Sequence, residues 1–197
     1  MVTELTLKFQ DALVYGTELH AGQPRKGTDI PYVSHLLAVS SIVMENGGDE
    51  DEVIAAFLHD AAEDKGGRKV LDAIQIKFGK KVADIVAGCT DAWTDPKPAW
   101  RERKEQYLAH LEEEVSPSVL LVSCADKLHN ARSILSDYRR IGESLWERFN
   151  GGKDGTLWYY RSLIDAYQHL NANSNIVDEL NRVVTELETL SRQCESK

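Results

Sequence analysis

The chain has 197 residues, 42% of them hydrophobic, and its 23 basic and 32 acidic side chains give a net charge of −9. At roughly 150 residues per domain this bounds one domain, residues 1–197, with a sizeable core. The acidic balance argues against nucleic acid or an anionic membrane as the main partner, but leaves room for a small anionic ligand in a locally positive pocket. No apolar run reaches the ~18 residues of a membrane span, and the opening stretch lacks the basic segment and cleavage site of a signal peptide. Three cysteines (Cys89, Cys124 and Cys194) without C-x-x-C spacing support neither a disulfide framework nor a cysteine zinc site. The expectation is a soluble cytoplasmic protein.

Apolar residues recur mainly at helical spacing, with few prolines and glycines, which predicts an all-α fold of about nine or ten helices. A first helix is expected over residues 4–20, with Leu5, Phe9, Ala12, Leu13 and Gly16 on one face. After a loop, AGQPRKGTDI, Pro31 opens a second helix that Gly47–Gly48 ends. Asp49 is placed to cap a third, running through DEDEVIAAFLHDAAED to Gly66–Gly67. Two short helices, 68–78 and 80–92, part at Gly79. Pro96 and Pro98 bracket a loop into the charged helix WRERKEQYLAHLEEE, and Ser116–Pro117 opens the apolar helix that follows. Glycines 151, 152 and 155 mark a break before two closing helices, 156–171 and 175–193.

Chemistry is signalled by polar residues inside apolar segments. In FLHDAAED, His59 and Glu63 stack at i,i+4, as do Asp60 and Asp64. Three carboxylates within about one turn repel unless a cation or protons intervene, and they oppose the dipole at a helix C-terminus. Asp126 follows the apolar stretch Val119–Ala125, where an unpaired charge is costly; an arginine, a helix N-terminus or a metal would satisfy it. Asn130 lies at i+4 from Asp126. His35 taken alone reads as a hydrogen-bonded core histidine. Taken with His59, Asp60 and Asp126 it completes a mixed nitrogen and oxygen set, which suits manganese, iron or a similar ion with open positions better than a closed zinc site.

These residues resemble the H…HD…D signature of the HD-domain metal-dependent phosphohydrolases. HAGQPRKGTDIPYVSH (20–35), AAFLHDAAED (55–64), IKFGKKVADIVAGCTD (76–91) and CADKLHNARS (124–133) narrow the resemblance to the hydrolase domain of the RelA/SpoT alarmone enzymes, specifically the stand-alone small hydrolases. It covers about the first 140 residues, and more loosely WRERKEQYL and LWYYRSL. The resemblance implies that His35, His59, Asp60 and Asp126 hold one divalent ion, Mn²⁺. Glu63 and Asp64 would act on the attacking water, Arg25 and Lys26 would contact the nucleotide, and Asn130 the nucleoside. The implied reaction removes the 3′-diphosphate of guanosine, or adenosine, 3′,5′-bis(diphosphate) as pyrophosphate. The partner is a small nucleotide, with no nucleic acid and no membrane. KGGRKVLDAIQIKFG departs from the threonine-led stretch usual after the acidic pair. Another HD-type nucleotide phosphohydrolase and a non-catalytic nucleotide sensor are the competing readings.

The remaining polar and aromatic residues read as structural. Arg25, Lys26, Lys127 and Arg132, with Arg101, Arg103 and Lys104, are the candidate cations for a polyanion, but RERK is expected as a solvated helix face, and Lys127 ranks low because its neighbour Asp126 points elsewhere on the helix. His20 is expected to satisfy the end of the first helix, and Trp158, Tyr159 and Tyr160 to pack in the core. Cys124 reads as a small buried hydrophobe.

Overall fold

The computed structural model describes residues 3–91, 93, 98–113 and 116–195. Among these, ten α-helices and one 3₁₀ turn account for the regular structure, and no strand is present. In chain order they are α1 (Leu7–Leu19), α2 (Val33–Glu45), α3 (Glu50–Leu58), α4 (Ala61–Lys65), α5 (Arg68–Phe78), α6 (Lys80–Cys89), α7 (Trp100–Glu113), α8 (Pro117–Ile141), the 3₁₀ turn (Gly142–Arg148), α9 (Gly152–His169) and α10 (Ser174–Glu195). No helix is long and apolar enough to cross a membrane among the described residues. Pro96 and the side chain of Cys194 lie outside them.

Local chemistry explains the boundaries. The Asp49 side chain accepts from the Glu52 amide at 3.0 Å, and Glu52 reaches back to the Asp49 amide at 2.8 Å, a reciprocal cap on α3. Ser116 caps α8 through the Val119 amide, with Pro117 in the first turn. Gly79, at φ +93°, ends α5 and starts α6.

Two expectations need correction. The helix expected over 49–64 is two helices, because the chain breaks at His59–Asp60. His59 Nδ1 lies 2.8 Å from the Ala56 carbonyl, replacing a backbone bond, and Asp60 sits at φ −91°, ψ −5°. Neighbours on a continuous helix diverge by about 100°; the break lets His59 and Asp60 face the same centre. Gly155 lies inside α9, not in the break before it. A Cβ there would come within 3.1 Å of the Trp100 ring, and one on Gly151 within 2.6 Å, so both glycines admit that indole.

The middle of the fold is α3, whose Val53–Leu58 are all fully buried. A helix apolar on every side is a core helix, and α1, α2, α6 and α8 pack around it. On the far side of α8 lie α9 and α10, with α7 against α9. The cleft that carries the functional residues opens among the 20–32 loop, the α3–α4 break, α7, α8 and α9.

Candidate metal centre and its cationic cleft

Three segments bring four side chains to one point: α2 brings His35, the α3–α4 break His59 and Asp60, and α8 Asp126. Ligand atoms of His35, His59 and Asp126 all lie within 4.8 Å of one another. Asp126 Oδ1 is 3.2 Å from His35 Nε2 and 3.6 Å from His59 Nε2. Asp60 Oδ2 is 3.0 Å from His59 Nε2 and 3.7 Å from His35 Nε2. Asp60 is the most exposed of the four at 24%, against 1%, 2% and 8% for His35, His59 and Asp126, so it stands on the cleft side.

The donor set fits a divalent cation. The Ala56 carbonyl can only accept, so His59 Nδ1 carries the hydrogen. That leaves Nε2, a buried atom facing Asp60 and Asp126 with no hydrogen-bond partner among the described residues, as the position that a proton takes without an ion and that a cation would take in its place. Burial disfavours charge on His59, but Asp60 and Asp126 outweigh it and hold the imidazole pKa well above its ordinary value. Burial likewise opposes ionisation of Asp60 and Asp126. His59 and His35 hold Asp60 well below the usual carboxylate range, and Lys127 with both imidazoles does so for Asp126. Two ionised carboxylates beside two imidazole nitrogens make a centre of the N₂O₂ type.

Two residues that the sequence reading passed over support these groups. Tyr32 donates its hydroxyl hydrogen to Asp60 Oδ2. His129 Nδ1 meets His35 Nδ1 at 2.7 Å; burial, with His35 and Arg25 nearby, brings the His129 pKa down to about 4. Their signal was spacing: Tyr32 lies three residues before His35 and His129 three after Asp126, each on the stripe of a ligand.

The acidic pair divides. Glu63 faces the centre with Asp60 and accepts the Asp91 amide at 3.2 Å, with Arg103 4.0 Å away. Asp64 instead accepts from Gln23 Nε2 at 2.9 Å, on the loop side.

Beside the centre runs a cleft of two lobes, about 280 and 300 Å³, that share Lys26, Tyr32, Trp100, Lys104, Lys127, Asn130 and Phe149 as walls. The first lobe holds Asp60, Glu63 and Asp126; the second adds Arg25, Arg148, Tyr159 and Tyr160. Arg25 donates to Asn130 Oδ1 at 2.9 Å, and Asn130 donates to Asp126 Oδ1 at 2.6 Å, joining the loop to the centre. The loop is a narrow turn closed at its base by Arg25 N–H to the Ile30 carbonyl and Tyr32 N–H to the Gln23 carbonyl, each 2.8 Å.

Two further expectations are corrected here. Lys127 points into the cleft, its Nζ 2.5 Å from Asp126. Arg103 and Lys104 are not solvated: both pair with Asp91 and line the first lobe, while Arg101 is exposed over the Trp158 ring. Tyr159 and Tyr160 pack in the core as expected and also form cleft wall, and the Tyr159 hydroxyl has no hydrogen-bond partner among the described residues. His20 stacks on Tyr32 and bonds Gln23, behind the loop and away from both lobes. Cys89 touches the first lobe, and burial pushes its thiol up to about 12, which favours the protonated form.

A helical fold that gathers two imidazoles and two carboxylates at the foot of a cleft lined by arginines and lysines offers a candidate divalent-metal centre. The family model described as an HD domain matches residues 12–157, and the chain belongs to that family. Among characterised proteins it is similar to guanosine-3′,5′-bis(diphosphate) 3′-pyrophosphohydrolase MESH1 of Xenopus tropicalis, 36% identical over 127 residues that make up 63% of this chain and 68% of that protein. It is 35% identical over 127 residues to a probable GTP pyrophosphokinase of Mycobacterium leprae, covering 64% of this chain and 16% of that much longer protein. A solved structure, described as a metazoan ortholog of SpoT that hydrolyzes ppGpp and plays a role in starvation responses, matches at a TM-score of 0.75 and 26% identity, over 93% of this chain and 97% of that one.

Proposed function

We propose that the whole chain, 1–197, acts as one hydrolase domain that removes the 3′-diphosphate from guanosine 3′,5′-bis(diphosphate), with Mn²⁺ as the cofactor. The observation that carries this reading is the continuity between the candidate metal centre and the cationic cleft. In a chain of net charge −9, Arg25, Lys26, Lys104, Lys127 and Arg148 all line that one cleft. A nucleotide with phosphates at both ends of its ribose needs positive charge along its length, and the 3′ and 5′ groups leave the sugar in different directions. The names of the similar proteins supply the substrate class.

In this reading His35, His59, Asp60 and Asp126 hold the ion. When bound, it supplies Lewis-acid polarisation of a phosphate oxygen and a water of lowered pKa. Glu63, on the cleft side of Asp60, holds the attacking water and takes its proton. Asp64 acts beside it, fastened to Gln23. Lys104 and Lys127 neutralise the leaving diphosphate, while Arg25 and Lys26 engage the nucleoside and its 5′ phosphates. Asn130 fixes Arg25 relative to Asp126. The net change adds one water across the bond between O3′ and the diphosphate: a hydroxyl joins phosphorus, a hydrogen returns to O3′, and pyrophosphate and GDP leave.

The test is incubation with Mn²⁺ and, side by side, guanosine 3′,5′-bis(diphosphate), its adenosine analogue, GTP and ATP, with products separated by anion-exchange chromatography. GDP and pyrophosphate from the guanosine bis(diphosphate) are expected, with GTP and ATP left intact. Rapid hydrolysis of GTP or ATP with the bis(diphosphates) untouched overturns the substrate assignment.

A further inference from the structure

The two imidazoles of the centre are held from behind in different ways. His59 backs onto the Ala56 carbonyl at 2.8 Å, an acceptor that permits one tautomer only. His35, 1% exposed, backs onto a second imidazole, with 2.7 Å between the two Nδ1 atoms and ring centroids 4.8 Å apart. Two ring nitrogens at that distance require one hydrogen between them, so one ring donates and the other accepts. The far nitrogen of His35 lies 3.2 Å from Asp126 Oδ1. If His35 donates through Nδ1, its Nε2 lone pair faces the carboxylates and a cation. If it accepts, Nε2–H is turned towards Asp126 and no lone pair is presented.

We propose that His129 is a positioning residue of the metal centre: its Nδ1 accepts the Nδ1–H of His35 and so turns the His35 Nε2 lone pair towards the ion. This rests on the metal reading of His35, His59, Asp60 and Asp126. The helical spacing supports it, because His129 lies one turn beyond Asp126 on α8, on the same stripe. One helix therefore delivers a ligand and also the group that orients the ligand on α2. The hydroxyl of Ser133, a turn further on, donates to the His129 carbonyl at 3.0 Å.

The experiment titrates Mn²⁺ alone, by calorimetry, into the full chain freed of metal. Wild type is compared with His129→Phe, His129→Gln and His59→Ala, with circular dichroism as the check on folding. His129→Phe removes the acceptor and should weaken Mn²⁺ binding about 10–100-fold, the usual effect of losing a ligand's outer partner. His129→Gln offers a carbonyl oxygen in its place and should recover most of that loss. At saturating Mn²⁺ the kcat of both should return to near the wild-type value, because His129 acts through the ion. Mn²⁺ affinity unchanged in His129→Phe overturns the proposal, as does an equal loss in Phe and Gln. Should the Phe variant fail to fold, His129→Leu against His129→Gln decides in the same way. Wild type and His59→Ala alike binding no Mn²⁺ would overturn the metal reading as well, whereas wild-type binding with an indifferent His129→Phe would overturn this inference only.

Discussion

Replacing Asp126 by asparagine changes one oxygen to nitrogen and tests the centre from two sides. The carboxylate is 8% exposed and accepts from Lys127 at 2.5 Å and from Asn130 at 2.6 Å. Its ionised form is favoured in place despite burial, so removing the charge leaves Lys127 facing a neutral amide. Breaking a buried pair in this way costs about 3–5 kcal/mol. Lys127 keeps 15% exposure and opens onto the cleft, which places the cost near the lower end, about 3 kcal/mol. For a chain of this size that corresponds to a fall in Tm of about 6–12 °C in metal-free buffer. Loss of an anionic ligand should also weaken Mn²⁺ by more than the ~100-fold that an outer partner can cost, and abolish turnover. The assays are scanning calorimetry without metal, Mn²⁺ titration, and chromatographic kinetics on guanosine 3′,5′-bis(diphosphate). Wild-type Mn²⁺ affinity and turnover, or an unchanged melt without metal, would refute the reasoning.

Glu63→Gln should keep Mn²⁺ and KM while kcat falls about 100-fold or more, the usual worth of a general base; Asp64→Asn, which loosens Gln23 on the loop, should lower kcat less and raise KM. Arg25→Ala should raise KM for the bis(diphosphate) about 10–100-fold, as expected for one charge-assisted hydrogen bond, with kcat changed less; a kcat effect larger than the KM effect would place Arg25 in the chemistry. Asp49→Ala should cost about 1 kcal/mol at neutral pH through loss of the α3 cap. Burial opposes ionisation of Asp49, but Lys81 and the Glu52 amide hold its pKa below the ordinary value. Its stabilisation is therefore present above the unfolded pKa near ~4 and lost as pH falls through the lower native value, so melts of wild type and variant should converge in acid.

Where the fold depends on local chemistry, the sequence was readable. Asp49 with Glu52, Ser116–Pro117 and Gly79 set helix ends within a few residues of themselves, and α3, α6 and α8 begin beside them. His35, His59, Asp60 and Asp126 stood out because charged or imidazole side chains interrupt apolar runs. The break at His59–Asp60 was hidden because AAEDK is good helix sequence, and the competing bond is made by a buried imidazole whose direction the packing decides. Lys104 and Arg103 looked solvated because their partner, Asp91, is brought to them by the turn after α6. Tyr32 and His129 face their ligands only once α2 and α8 are side by side.

The turn between Gln23 and Tyr32 separates two duties along one short peptide. Its base is closed by backbone bonds and fastened to the chemistry, Gln23 to Asp64 and Tyr32 to Asp60; its tip, residues 26–29, carries Lys26 and Thr28 into the cleft wall. The base behaves as a socket and the tip as an exchangeable bit. On the proposed reading, exchanging residues 26–29 would change what the cleft accepts while the base keeps Asp60 and Asp64 in place, with every helix left as it is.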